Sequence, residues 1–111
     1  MINSNFKYHF YTIEHFINLV KQRLERSKNF DSEYFYAIYV KKDGFSLGQT
    51  ILVSDPVFVS DDDTEIYPND VIAHQLNYQC SDENIQDVID LAIQQKPSAT
   101  DQELIQALNY Y

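Results

Sequence analysis

"EYFYAIYVKKDGFSLGQTILVSD", residues 33–55, decides how this chain folds. Its first part, Tyr34 to Val40, is aromatic and β-branched on both alternating faces, the pattern of a central strand covered on both sides. Asp43-Gly44 follows as a hairpin signal, because Gly accepts the positive φ that a primed turn requires. The return strand spans Thr50 to Ser54, with Gly48 as a bulge or bend. Pro56 has no N–H to donate, so "VFVS" (residues 57–60) continues bent or forms a third strand at the sheet edge.

Helices flank this hairpin. Thr12 caps a segment whose apolar face is Ile13, Phe16, Ile17, Val20 and Leu24, recurring at helical spacing. Lys21, Arg23, Arg26 and Lys28 crowd its C-terminal end, where the helix dipole favours cations. Downstream, "NDVIAHQL" (69–76) reads as two helical turns and "NYQC" (77–80) as a short strand. Ser81 caps a longer helix, with Asp82 and Glu83 in the favourable first turn and Ile85, Val88, Ile89 and Ala92 as its stripe. Pro97 stops it. Thr100-Asp101-Gln102-Glu103 is a capping box opening a last helix with Leu104, Leu108 and Tyr111 on one face. The expected fold is α+β: an antiparallel sheet of about three strands, with an N-terminal and two C-terminal helices packed on it.

The 111 residues suffice for a single domain spanning 1–111. A hydrophobic fraction of 44%, with nine Tyr and seven Phe, rules out a disordered acidic tail. Cys80 is the sole cysteine, so no intrachain disulfide forms and a cytoplasmic address fits. The N-terminus lacks a signal-peptide layout, and the longest apolar run, Tyr34 to Val40, falls far short of the ~20 residues that span a bilayer.

Net charge is −9, and it is unevenly spread. Seven of the eight basic residues lie at or before Lys42, whereas residues 43–95 carry eleven carboxylates and no Lys or Arg. "SDPVFVSDDDTEIYPND", residues 54–70, alone holds six of them. Such a half-molecule repels nucleic acid and anionic membrane and favours a cationic partner.

Other uses of the acids fit poorly. An EF-hand loop starting at Asp61 needs Gly at its sixth position and Glu at its twelfth, where Ile66 and Ile72 stand. A catalytic carboxylate pair needs one acid desolvated, yet Ser60 and Thr64 flank Asp61, Asp62 and Asp63. His9, His15 and His74 lack the spacing of metal ligands. Cys80 with His74 has no nucleophile elbow around it, and a buried inert thiol is the better reading. Two glycines do not make a phosphate cradle, and an aromatic strand beside acidic loops does not stack bases. No catalytic residue, metal site or cofactor is expected. What remains is a partner-binding face of acids interleaved with apolar residues. Asp61, Asp62, Asp63, Glu65 and Asp70 form its rim, Phe58 or Tyr67 its anchor, and Asp82 and Glu83 extend it.

The run "FYAIYVKKDGFSLGQTILVSDP" (35–56) with "DDDTE" (61–65), followed by "NIQDVIDLAIQQKPSATDQELIQALNYY" (84–111), resembles a family of small acidic bacterial proteins. Its members resemble the immunity proteins of polymorphic-toxin and contact-dependent growth inhibition systems. The resemblance implies a non-enzymatic inhibitor of one cognate toxin domain, with a basic nuclease the best fit to the charge; a monomer is favoured, the oligomeric state being unassigned by the sequence. It supplies no established binding residues. Two alternatives stand beside it: an acidic mimic of nucleic acid acting on a DNA- or RNA-binding protein, and a small structural or regulatory domain without a tight partner.

Overall fold

A computed structural model describes residues 7–22 and 35–110 of the chain. Leu24, Tyr34 and Tyr111, and the basic Arg23, Arg26 and Lys28, lie outside these residues. In chain order the elements are β1 (His9–Thr12), α1 (Ile13–Lys21), β2 (Ala37–Val40), β3 (Thr50–Ser54), β4 (Phe58–Val59), β5 (Glu65–Ile66), α2 (Asn69–Ala73), β6 (Asn77–Ser81), α3 (Asp82–Gln95) and α4 (Asp101–Tyr110). The fold is α+β, with α1, α3 and α4 packed on an antiparallel sheet.

The β2–β3 hairpin forms the centre of the sheet, as its composition demands. Every residue of β2 is buried, and so are Ile51 to Ser54 of β3. Strand alternation sends the two sets of side chains to opposite faces. Tyr36, Ile38, Val40, Ile51 and Val53 join the main core with Phe16 and Ile17 of α1, Ile85 and Ile89 of α3 and Leu104 of α4. Ala37, Tyr39 and Leu52 point the other way and pack with Val71, Val57, Tyr67 and Leu76. The segment that covers this second face is the acidic one. It is therefore half lid, half surface.

The sheet has four strands, in the order β1-β3-β2-β6, rather than about three. β1 is the strand the sequence pattern missed: it precedes the α1 cap and pairs with β3 from His9↔Val53 to Thr12↔Thr50. Thr12 thus ends a ladder and caps a helix, its Oγ1 accepting the His15 N–H at 3.3 Å. "VFVS" joins neither edge of this sheet. β4 pairs instead with β5, Phe58↔Ile66 and Val59↔Glu65, in a separate two-stranded ribbon.

The expected two-residue primed turn at Asp43-Gly44 is replaced by a wider loop over residues 41–49. Tertiary partners hold it open. Phe45 is buried, its N–H donating to Asn109 Oδ1 (2.7 Å) and its carbonyl accepting from Asn109 Nδ2 (2.8 Å). Gly44, at φ +89°, donates its N–H to Gln79 Oε1 at 2.9 Å. Gln79 is the extra residue of a register shift between β2 and β6, so the bulge lies there, while Gly48, at φ +77°, makes the bend that leads into β3. The nearest atom to a Cβ built on Gly44 is 3.6 Å away, so backbone conformation rather than space requires glycine.

Local signals at the C-terminal end hold well. The Ser81 hydroxyl accepts the Asn84 N–H at 3.2 Å. In the capping box, Thr100 Oγ1 accepts the Glu103 N–H (3.2 Å) while the Glu103 carboxylate accepts the Thr100 N–H (3.0 Å). These reciprocal bonds satisfy donors that the helix itself cannot.

Candidate functional site

The six carboxylates of residues 54–70 have different environments. Asp55 meets Lys7, a cation only 5% exposed, at 2.9 Å, and accepts the Tyr8 hydroxyl at 2.9 Å. Lys7 Nζ also donates to the Phe35 carbonyl at 3.0 Å. The early lysine that answers an acid is thus a buried one ahead of the helix. Asp70 is a correction to the expected rim. Half-buried, it accepts the hydroxyl of fully buried Ser54 on both oxygens, at 2.9 and 3.0 Å, and the Val71 N–H at 2.9 Å. It ties α2 to β3 and is less exposed than the rim was expected to be.

Asp62 is exposed but shapes the ribbon turn. It accepts from the Ser60 hydroxyl and from the Thr64 N–H, while Ser60 N–H donates to the Thr64 carbonyl at 3.0 Å. The Ser60 hydroxyl, followed by the Thr64 donors, pulls the Asp62 carboxyl below its ordinary range. Asp63 sits at φ 64°, a left-handed position that Asp and Asn tolerate. With Asp61 these acids form the exposed tip of the β4–β5 ribbon. On its shaft, Phe58 is 63% exposed and faces its cross-strand partner Ile66, 48% exposed.

Glu65 and Tyr67 belong to a different feature. With Asp82 they line a hollow of about 380 Å³, completed by Tyr36, Tyr78 and Ser81. Antiparallel β2–β6 pairing places Ala37 opposite Ser81, and the ribbon folds over that end of the sheet. The Tyr67 hydroxyl lies 3.5 Å from Glu65 Oε1. Tyr78 packs edge-on against Tyr39 at 6.1 Å, and the Tyr39 hydroxyl donates to the Asp55 carbonyl at 2.7 Å, so these rings are held in place. Burial first, then Cys80 and more weakly Asp82, raises the Tyr78 phenol against a lowering hydrogen bond with Ser81, and burial with Tyr78, Asp55 and Asp70 raises Tyr39. Tyr67 and Tyr78 also border a second hollow, about 520 Å³, with Val71, Ile72 and Leu76.

Of the expected partner-binding residues, Glu65, Tyr67 and Asp82 converge on one hollow. Asp61, Asp62 and Asp63 stand at the ribbon tip, Phe58 on its shaft, and exposed Glu83 beside Asp82 on α3. Tyr78 and Ile72 were not foreseen. Their types suit a core; strand pairing of β2 with β6 places Tyr78 at the first hollow, and α2 places Ile72 at the second.

Cys80 is 4% exposed in the main core, and burial, then Asp82, pushes its thiol up to about 12. His74 is exposed at the end of α2, against the other face of the sheet, its Nδ1 2.9 Å from the Asp70 carbonyl. The sheet separates the two, so they form no nucleophile–base pair. His9 and His15 are exposed as well. Among the described residues no group of three or more His, Cys, Asp or Glu converges as a metal site, and no helix is long and apolar enough to cross a membrane.

A four-stranded sheet with α1, α3 and α4 on one face and an acidic, tyrosine-lined surface on the other defines a small α+β fold. The chain belongs to the family described as a domain of unknown function, DUF7716, whose model matches residues 9–111. No curated protein and no solved structure matches it.

Proposed function

We propose that this protein is a cytoplasmic, non-enzymatic immunity protein that binds and neutralises one cognate bacterial toxin domain, a basic nuclease being the best fit. One observation carries the reading: Glu65 and Tyr67 share a hollow with Asp82 from the start of α3, next to an acidic ribbon tip and the exposed Phe58–Ile66 pair. Aromatic anchors beside acids are what a cationic protein surface recognises. A nuclease has to bind phosphates, so its cleft is cationic and attracts such a face. The resemblance of roughly residues 34–111 to a family of small acidic bacterial proteins akin to immunity proteins supports the same reading.

The test uses immobilised wild-type protein and an Asp61→Asn, Asp62→Asn, Asp63→Asn variant in the native host's lysate, followed by binding kinetics with the captured protein. Capture of one basic toxin domain, encoded beside this gene and inhibited on binding, is the expected result. The amide side chains preserve the Asp62 acceptor and the Asp63 backbone, so stability stays within about 0.5 kcal/mol. Association with the toxin slows by about tenfold at low salt and less at high salt, because rim charges act through steering. Capture of a housekeeping DNA-binding protein alone, or an association rate indifferent to the three charges, refutes the proposal.

A further inference from the structure

We infer that residues 57–67 form a strap that lifts off the sheet as one unit between two fixed anchors. The first anchor is Asp55. Its carboxylate meets Lys7, 5% exposed, at 2.9 Å, and its carbonyl accepts the Tyr39 hydroxyl at 2.7 Å. The second is Asp70, whose carboxylate accepts the Ser54 hydroxyl at 2.9 and 3.0 Å. Ser54 adjoins Asp55 in sequence, so this bond brings both ends of the strap to one place, as in an Ω-loop. Pro56 and Pro68, just inside the anchors, have no N–H with which to lace those ends to the sheet.

Between its anchors the strap is bonded to itself. Beyond the β4–β5 pairs, the Ser60 N–H donates to the Thr64 carbonyl at 3.0 Å and the Asp63 N–H to the Ser60 carbonyl at 2.9 Å. The Thr64 N–H donates to Asp62 Oδ1 at 3.2 Å, and the Tyr67 hydroxyl turns to Glu65. No hydrogen bond links residues 57–67 to the rest of the described chain. None of them is buried, and half-buried Val57 and Tyr67 supply the apolar hold on Ala37, Tyr39 and Leu52. Even that hold is incomplete. The hollow of about 380 Å³ is shared between Val57, Glu65 and Tyr67 of the strap and Ala37, Tyr78 and Ser81 of the sheet. A segment with few buried apolar contacts opens at a free energy well below that of the whole fold. Lifting this one uncovers Ala37, Tyr39 and Leu52, each at most 1% exposed when it is down. Tyr67 lines both hollows, so its departure merges them into one groove along β6. The motion needs no partner and goes beyond the proposed function.

The test compares two thiols in one molecule. Ala37→Cys places a thiol beneath the strap, while native Cys80 lies in the main core on the opposite face of the sheet, 4% exposed. Both are alkylated with iodoacetamide in the folded protein and resolved by peptide mass spectrometry, over urea concentrations below the unfolding transition. The introduced thiol is expected to react about a hundredfold faster than Cys80, and with a shallower urea dependence, because lifting the strap exposes less surface than unfolding the sheet. Adding Tyr67→Ala removes half of the hold and speeds the introduced thiol by about tenfold more, while Cys80 keeps its rate. Equal rates with equal urea dependence overturn the strap, since its cover then leaves only with the whole fold. A fast rate indifferent to urea overturns it as well, since the reagent then enters through the hollow with the strap in place. Relaxation dispersion on the unmodified chain is the second measurement and does not depend on how the variant folds. One exchange rate shared by residues 57–67, with Asp55 and Asp70 quiet, supports the strap; exchange confined to residues 60–64 reduces it to a fraying tip and overturns it.

Discussion

Replacing Asp70 by Ala separates two kinds of acid in one run of sequence. Ser54 is 0% exposed and donates its hydroxyl to Asp70 at 2.9 and 3.0 Å. Removing the carboxylate strands that hydroxyl in the interior, at about 1–3 kcal/mol for an unsatisfied buried group. The Val71 N–H loses its 2.9 Å acceptor, and α2 loses a first-turn acid worth about 0.3–1 kcal/mol. A loss of about 2 kcal/mol overall is expected. With a urea dependence of about 2 kcal/mol per molar, the unfolding midpoint drops by about 1 M. Asp70→Asn keeps an acceptor oxygen and recovers more than half of the loss. Because Ser54→Ala removes the stranded donor, the double variant Ser54→Ala, Asp70→Ala is less destabilised than the two single effects sum to, with a coupling of about 1 kcal/mol. Equilibrium urea unfolding followed by far-UV circular dichroism measures the wild type and all four variants. An Asp70→Ala midpoint within experimental scatter of wild type, or purely additive effects, refutes the assignment of Asp70 to the fold and returns it to the surface.

Two further outcomes follow from the buried thiol and the last helix. Cys80→Ser places a hydroxyl in an apolar core position and costs about 1–3 kcal/mol, and native Cys80, its thiol pushed up to about 12, labels slowly with a disulfide reagent at neutral pH; rapid native-state labelling contradicts this burial. Glu103 is held down to about 2 by Lys96 Nζ at 2.6 Å and by the Thr100 N–H, so its support of the α4 cap is complete above the ordinary carboxylate range and is lost as pH falls toward 2. A carboxyl-detected NMR titration that returns a Glu103 value of ~4.3 overturns this account of the capping box.

The parts of the fold written in short-range pattern were legible in advance. The capping serine and threonines, the stripe of α3 and the two-faced apolar run of β2 each act across three or four residues, or across a two-residue period, so sequence spacing reports them directly. The four residues of β1 carry no such pattern, with three of them exposed, and they become a strand because β3 offers an unpaired edge. Asp43-Gly44 shows a local signal losing to tertiary contact, since burial of Phe45 and its two bonds to Asn109 outweigh the preference for a tight turn. The acidic run makes the same point for the site. Its charge and its exposed tip at Asp61–Asp63 follow from composition. That Asp55 answers Lys7 and Asp70 answers Ser54 depends on contacts spanning 48 and 16 residues. The grouping of Glu65 and Tyr67 with Tyr36, Tyr78 and Asp82 likewise depends on the register of β2 against β6 and on the ribbon folding over the sheet's end. Residue type and spacing settle where the chain is charged, where its helices lie and which strands form its centre. Which charges are spent inside the fold, and which converge on a hollow open to a partner, is decided by strand pairing and packing between distant segments, because a side chain's environment is set by whatever the fold brings beside it.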